Sequence, residues 1–286
     1  MRNDRDTASA ERPSGTAARS GRMFWRDPAM PFVESRRACD SRACYKPHSH
    51  PTFSIGAVDR GRSVFTGAAR GPVALGPGTL VFVPAWRVHA CNPAPDTAWS
   101  YQMLHLEDAW LKAVRQEYAE AAADDGEPVR IVARPTIHAR FCRLNALLFS
   151  QADPHHKEAA LIEFVGDCDT GQGTDIEAPD IPSRLAARIG PAMERLRDAP
   201  AASMPLDELA HLAGMNRYRL IRAFRSVTGM TPHAWQLNLR VNLARERLRA
   251  GDDLSDVALC LGFADQAHFQ RVFKAYAGVT PGRFRA

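Results

Sequence analysis

Two sets of side chains in this 286-residue chain could carry chemistry. The first is a pair of histidines one residue apart, His48 and His50, in KPHSHPTFS. Alternate residues of an extended strand face the same side, so both imidazoles can be presented together. Imidazole nitrogens bind zinc, nickel or iron, and the same rings can instead hydrogen-bond to neighbours or to an organic effector. The second set is an eleven-residue phrase written twice: RAFRSVTGMTP at Arg222–Pro232 and RVFKAYAGVTP at Arg271–Pro281, 49 residues apart. Each copy joins basic side chains, which pair with phosphates and base edges, to Phe, Gly and Pro, which fill, end and start helices.

The elements around each copy are alike. Ahead of the first lies PLDELAHLAGMNRYRL. Leu206, Leu209, Ala210 and Leu212 predict a short amphipathic helix, Gly214 a turn, and Asn216 the cap of a second helix. That second helix buries Leu220, Phe224 and Val227 and leaves Arg217, Tyr218, Arg219, Arg222 and Arg225 outward. In the second copy Val257, Ala258 and Leu261 face inward, Gly262-Phe263 turns, and Asp265 caps a helix that buries Phe269, Val272 and Phe273. Gln266, His268, Gln270, Arg271 and Lys274 face outward. Two short helices with a Gly-containing turn, the second carrying a basic face, form a helix-turn-helix. Between the copies HAWQLNLRVNLARERLRAG predicts one uninterrupted helix of about 17 residues, roughly 26 Å long. Such a spacer suits two recognition helices entering major grooves about 34 Å apart on one side of DNA.

Charge follows the same division. Residues 201–286 hold 12 Arg and Lys against 7 Asp and Glu, whereas residues 1–200 hold 25 of each sign. The surplus of +5 therefore sits with the repeated phrase, which points to a polyanionic partner. Cys39, Cys44, Cys91, Cys142, Cys168 and Cys260 are scattered without a CxxC pair, as in a reducing cytoplasm rather than in a disulfide framework or zinc ribbon. No apolar run approaches the roughly 18 residues of a membrane span.

Residues 1–22 have no apolar centre and are expected to be a disordered tail. From about 34 to 107, runs such as VFTG, VALGPGTLVFVPAWRVHAC and WSYQMLHL, punctuated by Gly and Pro, predict a small barrel or sandwich. Helical periodicity follows over 136–151 and 154–165, the second helix with Asp153 as cap and Pro154 in its first turn. Their apolar residues Ile137, Phe141, Leu144, Leu147, Leu148, Leu161 and Ile162 can pack on the barrel, on a partner chain or on both. Residues 166–181, polar and Gly-rich, are expected to be a linker between a domain at 23–165 and a helical domain at 182–286.

Residues 184–286, and above all LCLGFADQAHFQRVFKAYAGVTPGRFR, resemble the DNA-binding domain of AraC/XylS-type transcriptional regulators. The resemblance implies base contacts from Tyr218, Ile221 and Arg222 in the first recognition helix and from Gln266, Ala267, Gln270 and Arg271 in the second. Arg217, Arg225 and Lys274 are then phosphate contacts or solvated. KPHSHPTFSIGAVDRG and GPGTLVFVPAWRVHACNP resemble the two cupin motifs. That resemblance brings His89 together with His48 and His50 inside a β-barrel, with His105 or Cys91 as a fourth metal ligand. Ser54 stands where the cupin glutamate ligand would be, and Trp86 replaces a glycine. Phe53, Trp86 and Tyr101 line an effector pocket with the histidines or fill the barrel; Arg36, Arg37 and Arg42 offer guanidinium groups to a carboxylate or are solvated.

The expected fold is α+β in two domains, a cupin-like barrel with flanking helices and an all-α tandem helix-turn-helix domain. The expected function is an effector-responsive, cytoplasmic regulator of transcription, an activator by resemblance, acting on double-stranded DNA as a homodimer and recruiting RNA polymerase. Two rival readings are a metal-dependent cupin enzyme fused to a DNA-binding domain and a DNA-binding protein that needs no effector.

Overall fold

The computed structural model describes residues 22–118, 127–169, 174–176 and 183–285. The expected tail lies outside these residues except for Arg22, which begins a strand. Among these described residues, ten strands and three helices make up the first region. In chain order they are β1 (Arg22–Trp25), β2 (Val33–Ser41), β3 (Thr52–Arg60), β4 (Ser63–Thr66), β5 (Val73–Leu75), β6 (Thr79–Val83), β7 (Ala90–Pro93) and β8 (Trp99–Glu107). There follow α1 (Asp108–Tyr118), β9 (Val129–Ala133), α2 (Pro135–Leu148), α3 (Pro154–Asp169) and β10 (Thr174–Ile176). The expected linker is thus partly regular, because residues 166–169 continue α3 and β10 pairs with β9.

A seven-stranded sheet in the order β1-β2-β8-β3-β6-β9-β10 faces a three-stranded one in the order β5-β4-β7. Period-two alternation divides the large sheet's side chains between two cores. Phe53, Ile55, Ala57, Leu80, Phe82, Leu104 and Leu106 point outward from the barrel and are covered by Leu111 of α1, Phe141, Leu144 and Leu148 of α2, and Leu161 and Phe164 of α3. Val58, Val81, Val83, Trp99 and Tyr101 turn the other way, toward Phe65 and Leu75. Of the apolar residues expected on the helical pair, Phe141, Leu144, Leu148 and Leu161 are buried against the barrel. Leu147 and Ile162 stay half-buried. A buried polar link ties α2 to the sheet: Asn145 lies 2.5 Å from the Ser35 hydroxyl and donates to Gln102 Oε1 at 2.6 Å. Its partners explain why an asparagine is tolerated in that core.

The second region is helical: α4 (Ser183–Asp198), α5 (Leu206–Leu212), α6 (Arg217–Thr228), α7 (Pro232–Arg249), α8 (Leu254–Cys260), α9 (Gln266–Ala277) and α10 (Pro281–Arg285). Local chemistry sets the boundaries. Asn216 accepts from the Arg219 amide at 2.9 Å, and Asp265 accepts from the His268 amide at 2.6 Å. Gly229 and Gly278 end α6 and α9 at φ 73° and 74°, the left-handed geometry that suits glycine. Two cores result. Ile189, Leu196, Leu209, Leu220, Phe224 and Trp235 unite α4, α5, α6 and the start of α7, while Val241, Leu248, Val257, Phe269, Phe273 and Phe284 unite the rest of α7 with α8, α9 and α10. Among the described residues no helix is long and apolar enough to cross a membrane.

Phe141 is fully buried at the centre of the helix-on-sheet core and contacts Phe164, their ring centroids 5.7 Å apart. Phe141→Ala is expected to cost about 3–5 kcal/mol of stability, read as a lowered midpoint in urea unfolding.

Candidate functional site

The two recognition helices, α6 and α9, present the expected residues to solvent. Arg217, Tyr218, Arg219, Arg222 and Arg225 are exposed on α6, with Ile221 half-buried beside them. On α9, Gln266, Ala267, Arg271 and Lys274 are exposed, and His268 and Gln270 are half-buried. Tyr218, 68% exposed, leaves a large aromatic surface uncovered, and the Arg222 guanidinium sits 5.8 Å from its ring centre. Arg217 pairs with Asp207 of α5 at 3.3 Å across an exposed surface. His268 has a local structural part: its ring nitrogen lies 3.4 Å from the Ala264 amide and its ring packs edge-on to Phe263.

In the barrel region, the segment carrying His48 and His50 departs from the expected strand. It is extended but precedes β3, and its ladder contact is a single bridge in which His48 and His89 exchange amide hydrogen bonds at 3.0 and 2.9 Å. That bridge brings the three rings together. Ring centroids are 4.8 Å apart for His48 and His89, 5.1 Å for His50 and His89, and 5.9 Å for His48 and His50. His105 of β8 stands 5.1 Å from His50, and the Ser54 hydroxyl lies 2.8 Å from its Nδ1 and 3.3 Å from His50 Nε2. Burial, with further contributions from one another and from Arg245, holds these imidazoles below the ordinary histidine range, His89 down to about 4 and His105 to about 3. All four are therefore neutral near pH 7.

The expected pocket residues do not all share one cavity. His48, His50, His89, Cys91, Tyr101 and His105 line an inner cavity of about 40 Å³. Phe53 does not, because it sits one residue from the inward Ser54 and so faces the outer core. Trp86 lies outside, 58% exposed, in a turn at φ 62° pinned by its amide donating to the His50 carbonyl at 2.8 Å. Together with Val88, His89, Met193, Val227 and Trp235, it lines a cleft of about 860 Å³ between the barrel and the first helix-turn-helix. Arg225 also lines that cleft, at the far end of α6 from the cap. Of the three arginines read as a carboxylate hint, Arg36 turns to the inner cavity, Arg37 stacks on Phe149 at 4.4 Å, and Arg42 is exposed.

The residues missed from sequence come from α7 and α9, which form the cavity's roof. Arg245, Tyr276 and Ala277 line it opposite the histidines. Arg36 donates to the Ala277 carbonyl at 3.0 Å, and the Lys46 amide to the Ala275 carbonyl at 3.1 Å. Asn238 and Asn242 of α7 both donate to the Ser49 carbonyl, at 3.2 and 3.0 Å, and Asn238 accepts from the Ser49 amide. Glu34 of β2 accepts from Arg26 at 3.0 Å and from Arg249 of α7 at 2.8 Å. Burial would raise the Glu34 carboxyl, but Arg249, His105 and Arg26 outweigh it and hold the group well below the usual carboxylate range. Gly278 completes the fit, for a Cβ there would fall 2.2 Å from the Tyr45 ring. On sequence alone these α7 residues read as the polar flank of a connecting helix, and nothing local marks them as an interface.

A β-barrel whose cavity is closed by a tandem helix-turn-helix region defines a class of two-domain DNA-binding regulators with a ligand-binding module. Residues 33–165 match the model of the AraC-like ligand binding domain, and residues 209–286 match a helix-turn-helix domain model. The chain belongs to the AraC family of transcriptional regulators. It is 32% identical to the HTH-type transcriptional regulator MtrA of Neisseria gonorrhoeae over 99 residues, 34% of this chain and 33% of that protein. Against the HTH-type transcriptional regulator YbfI of Bacillus subtilis, identity is 23% over 246 residues, 85% of this chain and 87% of that protein. The chain spans about a third of MtrA and most of YbfI. In fold it is similar to ToxT of Vibrio cholerae in its unsaturated fatty acid-bound form, with TM-score 0.53, 12% identity and coverage of 92% of this chain and 94% of that one.

The Glu34 pair joins the two regions, so its ionisation feeds into their docking. With its folded-state pKa depressed, Glu34 contributes fully above the ordinary glutamate range, and the contribution declines as pH falls below that range toward the lowered value. Glu34→Gln is expected to remove roughly 1.5 kcal/mol at neutral pH, the low end for a charge-assisted bond because Arg249 is partly exposed. It should also flatten the fall of thermal midpoint between pH 5 and pH 3, measured by calorimetry.

Proposed function

We propose that this chain regulates transcription in the cytoplasm by holding two recognition helices, α6 and α9, in successive major grooves of an operator. A small effector with an anionic group, bound between barrel and helical region, controls how those helices are presented. One observation carries the second statement: the inner cavity is walled by barrel residues and roofed by Arg245, Tyr276 and Ala277, so an occupant touches both regions at once. The larger cleft has the same property, and His89 lines both. An effector with different affinity for the docked and undocked arrangements shifts the balance between them; one without that difference shifts nothing. Arg36 and Arg245, two arginines that line the inner cavity, favour an effector with an anionic group.

Activation, through contact with RNA polymerase, is the outcome we favour from the family resemblance. Dimerisation would use the outer side of α2 and α3, where Leu147 and Ile162 remain half-buried after the inner side is committed to the barrel. An enzymatic reading is less well supported, because Ser54 stands at the cupin glutamate position and its hydroxyl is already engaged with His50 and His105.

The test begins with retention of random duplex DNA by the purified chain at physiological salt, followed by sequencing. A directly repeated two-part site with half-contacts about one helical turn apart is expected; retention without sequence preference would refute the reading. On the selected site, Arg222→Ala and Arg271→Ala should each weaken binding about 5- to 150-fold if the residue reads a base, with preference lost at one position. A phosphate contact instead gives a uniform loss and a shallower salt dependence.

A further inference from the structure

We propose that Asp59 Oδ1, His138 Nε2 and Cys142 Sγ, on the outer face of the barrel, hold one divalent transition-metal ion of the zinc class, with a fourth position open to solvent. The site is separate from the inner cavity and its histidines. Asp59 of β3 continues the outward row of Phe53, Ile55 and Ala57, so its carboxylate meets α2 and not the barrel interior. His138 and Cys142 are four residues apart on α2 and therefore share one face of that helix.

The first support is geometric, because the three ligating atoms already stand near coordination distances from one another. His138 Nε2 lies 3.2 Å from Asp59 Oδ1 and 3.8 Å from Cys142 Sγ, and Sγ lies 3.9 Å from Oδ1. Tetrahedral zinc, at about 2.0–2.2 Å from nitrogen and oxygen and about 2.3 Å from sulfur, sets the N–O pair roughly 3.4 Å apart and each pair with sulfur roughly 3.6 Å apart. Each observed separation thus needs to change by no more than about 0.3 Å.

The second support is a fixed outer shell, which does not depend on the first. Gln102 Nε2 donates to Asp59 Oδ1 at 3.0 Å and lies 3.3 Å from Cys142 Sγ. The direction of that amide follows from its other end: Gln102 Oε1 accepts from Asn145 at 2.6 Å, and Asn145 Oδ1 accepts from the Ser35 hydroxyl at 2.5 Å. Three buried polar side chains, Ser35, Asn145 and Gln102, thus form a run that ends with one NH2 group aimed at a carboxylate and a sulfur. Hydrogen bonds of this kind orient metal ligands and tune the ion they hold. The charge of Arg37 acts on both Asp59 and Cys142, which favours the thiolate that a metal requires.

The donor set names the ion. A thiolate, an imidazole and a carboxylate suit zinc and its neighbours, not magnesium or calcium, which take oxygen ligands. Thiolate and carboxylate together balance the charge of a dication. The side chains of His138 and Asp59 are 19% and 28% exposed, so the fourth position faces water. An ion bound there would clip α2 to β3.

The experiment uses the full chain, without a polyhistidine tag, reduced, stripped by chelator and titrated to saturation with Co²⁺ and then with Zn²⁺. Thiolate bound to Co²⁺ gives an intense charge-transfer band in the near ultraviolet, which imidazoles alone do not. That band is expected in the wild-type chain, bleached by Zn²⁺, lost in Cys142→Ser and kept in Cys91→Ser. His138→Gln should lower the affinity read from it at least about tenfold. X-ray absorption on the zinc-saturated wild-type chain requires no variant to fold, and it should show a sulfur neighbour at about 2.3 Å. No band at saturating Co²⁺, a zinc shell without sulfur, or a band kept in Cys142→Ser and lost in Cys91→Ser would each overturn the proposal.

Discussion

The arrangement of the whole molecule depends on α7 being buried along most of its length. Trp235, Leu237, Val241, Ala244 and Leu248 are buried, and so are the polar residues Gln236, Asn238, Arg240 and Asn242. A buried polar group without a partner costs on the order of 1–3 kcal/mol, so each must be answered by a fixed acceptor or donor. The partners come from three places. Gln236 and Arg240, one turn apart, donate to the Pro200 and Ala202 carbonyls, and Arg240 reaches the Ala201 and Gly262 carbonyls as well. Asn238 and Asn242, the next such pair, close on Ser49 of the barrel segment.

That requirement makes α7 more than a spacer. Its Arg240 ties the loop after α4, which leads into the first helix-turn-helix, to the turn of the second, where a Cβ on Gly262 would fall 2.1 Å from the Ala201 carbonyl. The two recognition helices are thereby referenced to one rigid element through two separate cores. Because the same helix offers Asn238, Asn242, Arg245 and Arg249 to the barrel, displacement of the barrel acts on the element that sets recognition-helix spacing. Regulation through this seam, as proposed, would need no long relay of side chains, since the inner cavity and the spacer helix share residues.

Local signals explain what was legible beforehand. The caps Asn216 and Asp265, the left-handed Gly229 and Gly278, and the inward Phe224, Phe269 and Phe273 all act within one or two turns, so α6 and α9 could be placed closely from sequence. The three histidines could be grouped by resemblance, but their mounting could not be read: His48 and His50 sit on a bridged extended segment ahead of β3, not on a strand of the sheet. Of the residues read as pocket-lining or core-filling, Phe53 packs in the outer core and Trp86 lines the outer cleft, for different reasons. For Phe53, the one-residue offset from Ser54 decides the face; for Trp86, a positive-φ turn throws the indole outward. The seam itself was invisible, because an asparagine or arginine on a helix looks the same whether water or a distant serine completes its hydrogen bonds. Such partners are set by tertiary contact across nearly two hundred residues, for which a single sequence holds no local mark.

Charge across the seam is unevenly compensated. Arg26, Arg36, Arg245 and Arg249 gather around Glu34, whose carboxylate already serves Arg26 and Arg249. Burial lowers the Arg245 pKa to about 10, which still leaves the guanidinium charged at neutral pH, facing neutral imidazoles rather than an acid. Arg245 is half-buried and shares the field of one carboxylate, Glu34, with three other arginines, so the docked arrangement holds an under-compensated positive charge, which is costly. In the proposed scheme an anion in the inner cavity would bind the docked arrangement more tightly than the undocked one, which is the differential affinity that coupling requires. Substituting an uncharged residue at Arg245 would remove both the cost and the reason for the anion, making docking less dependent on any effector.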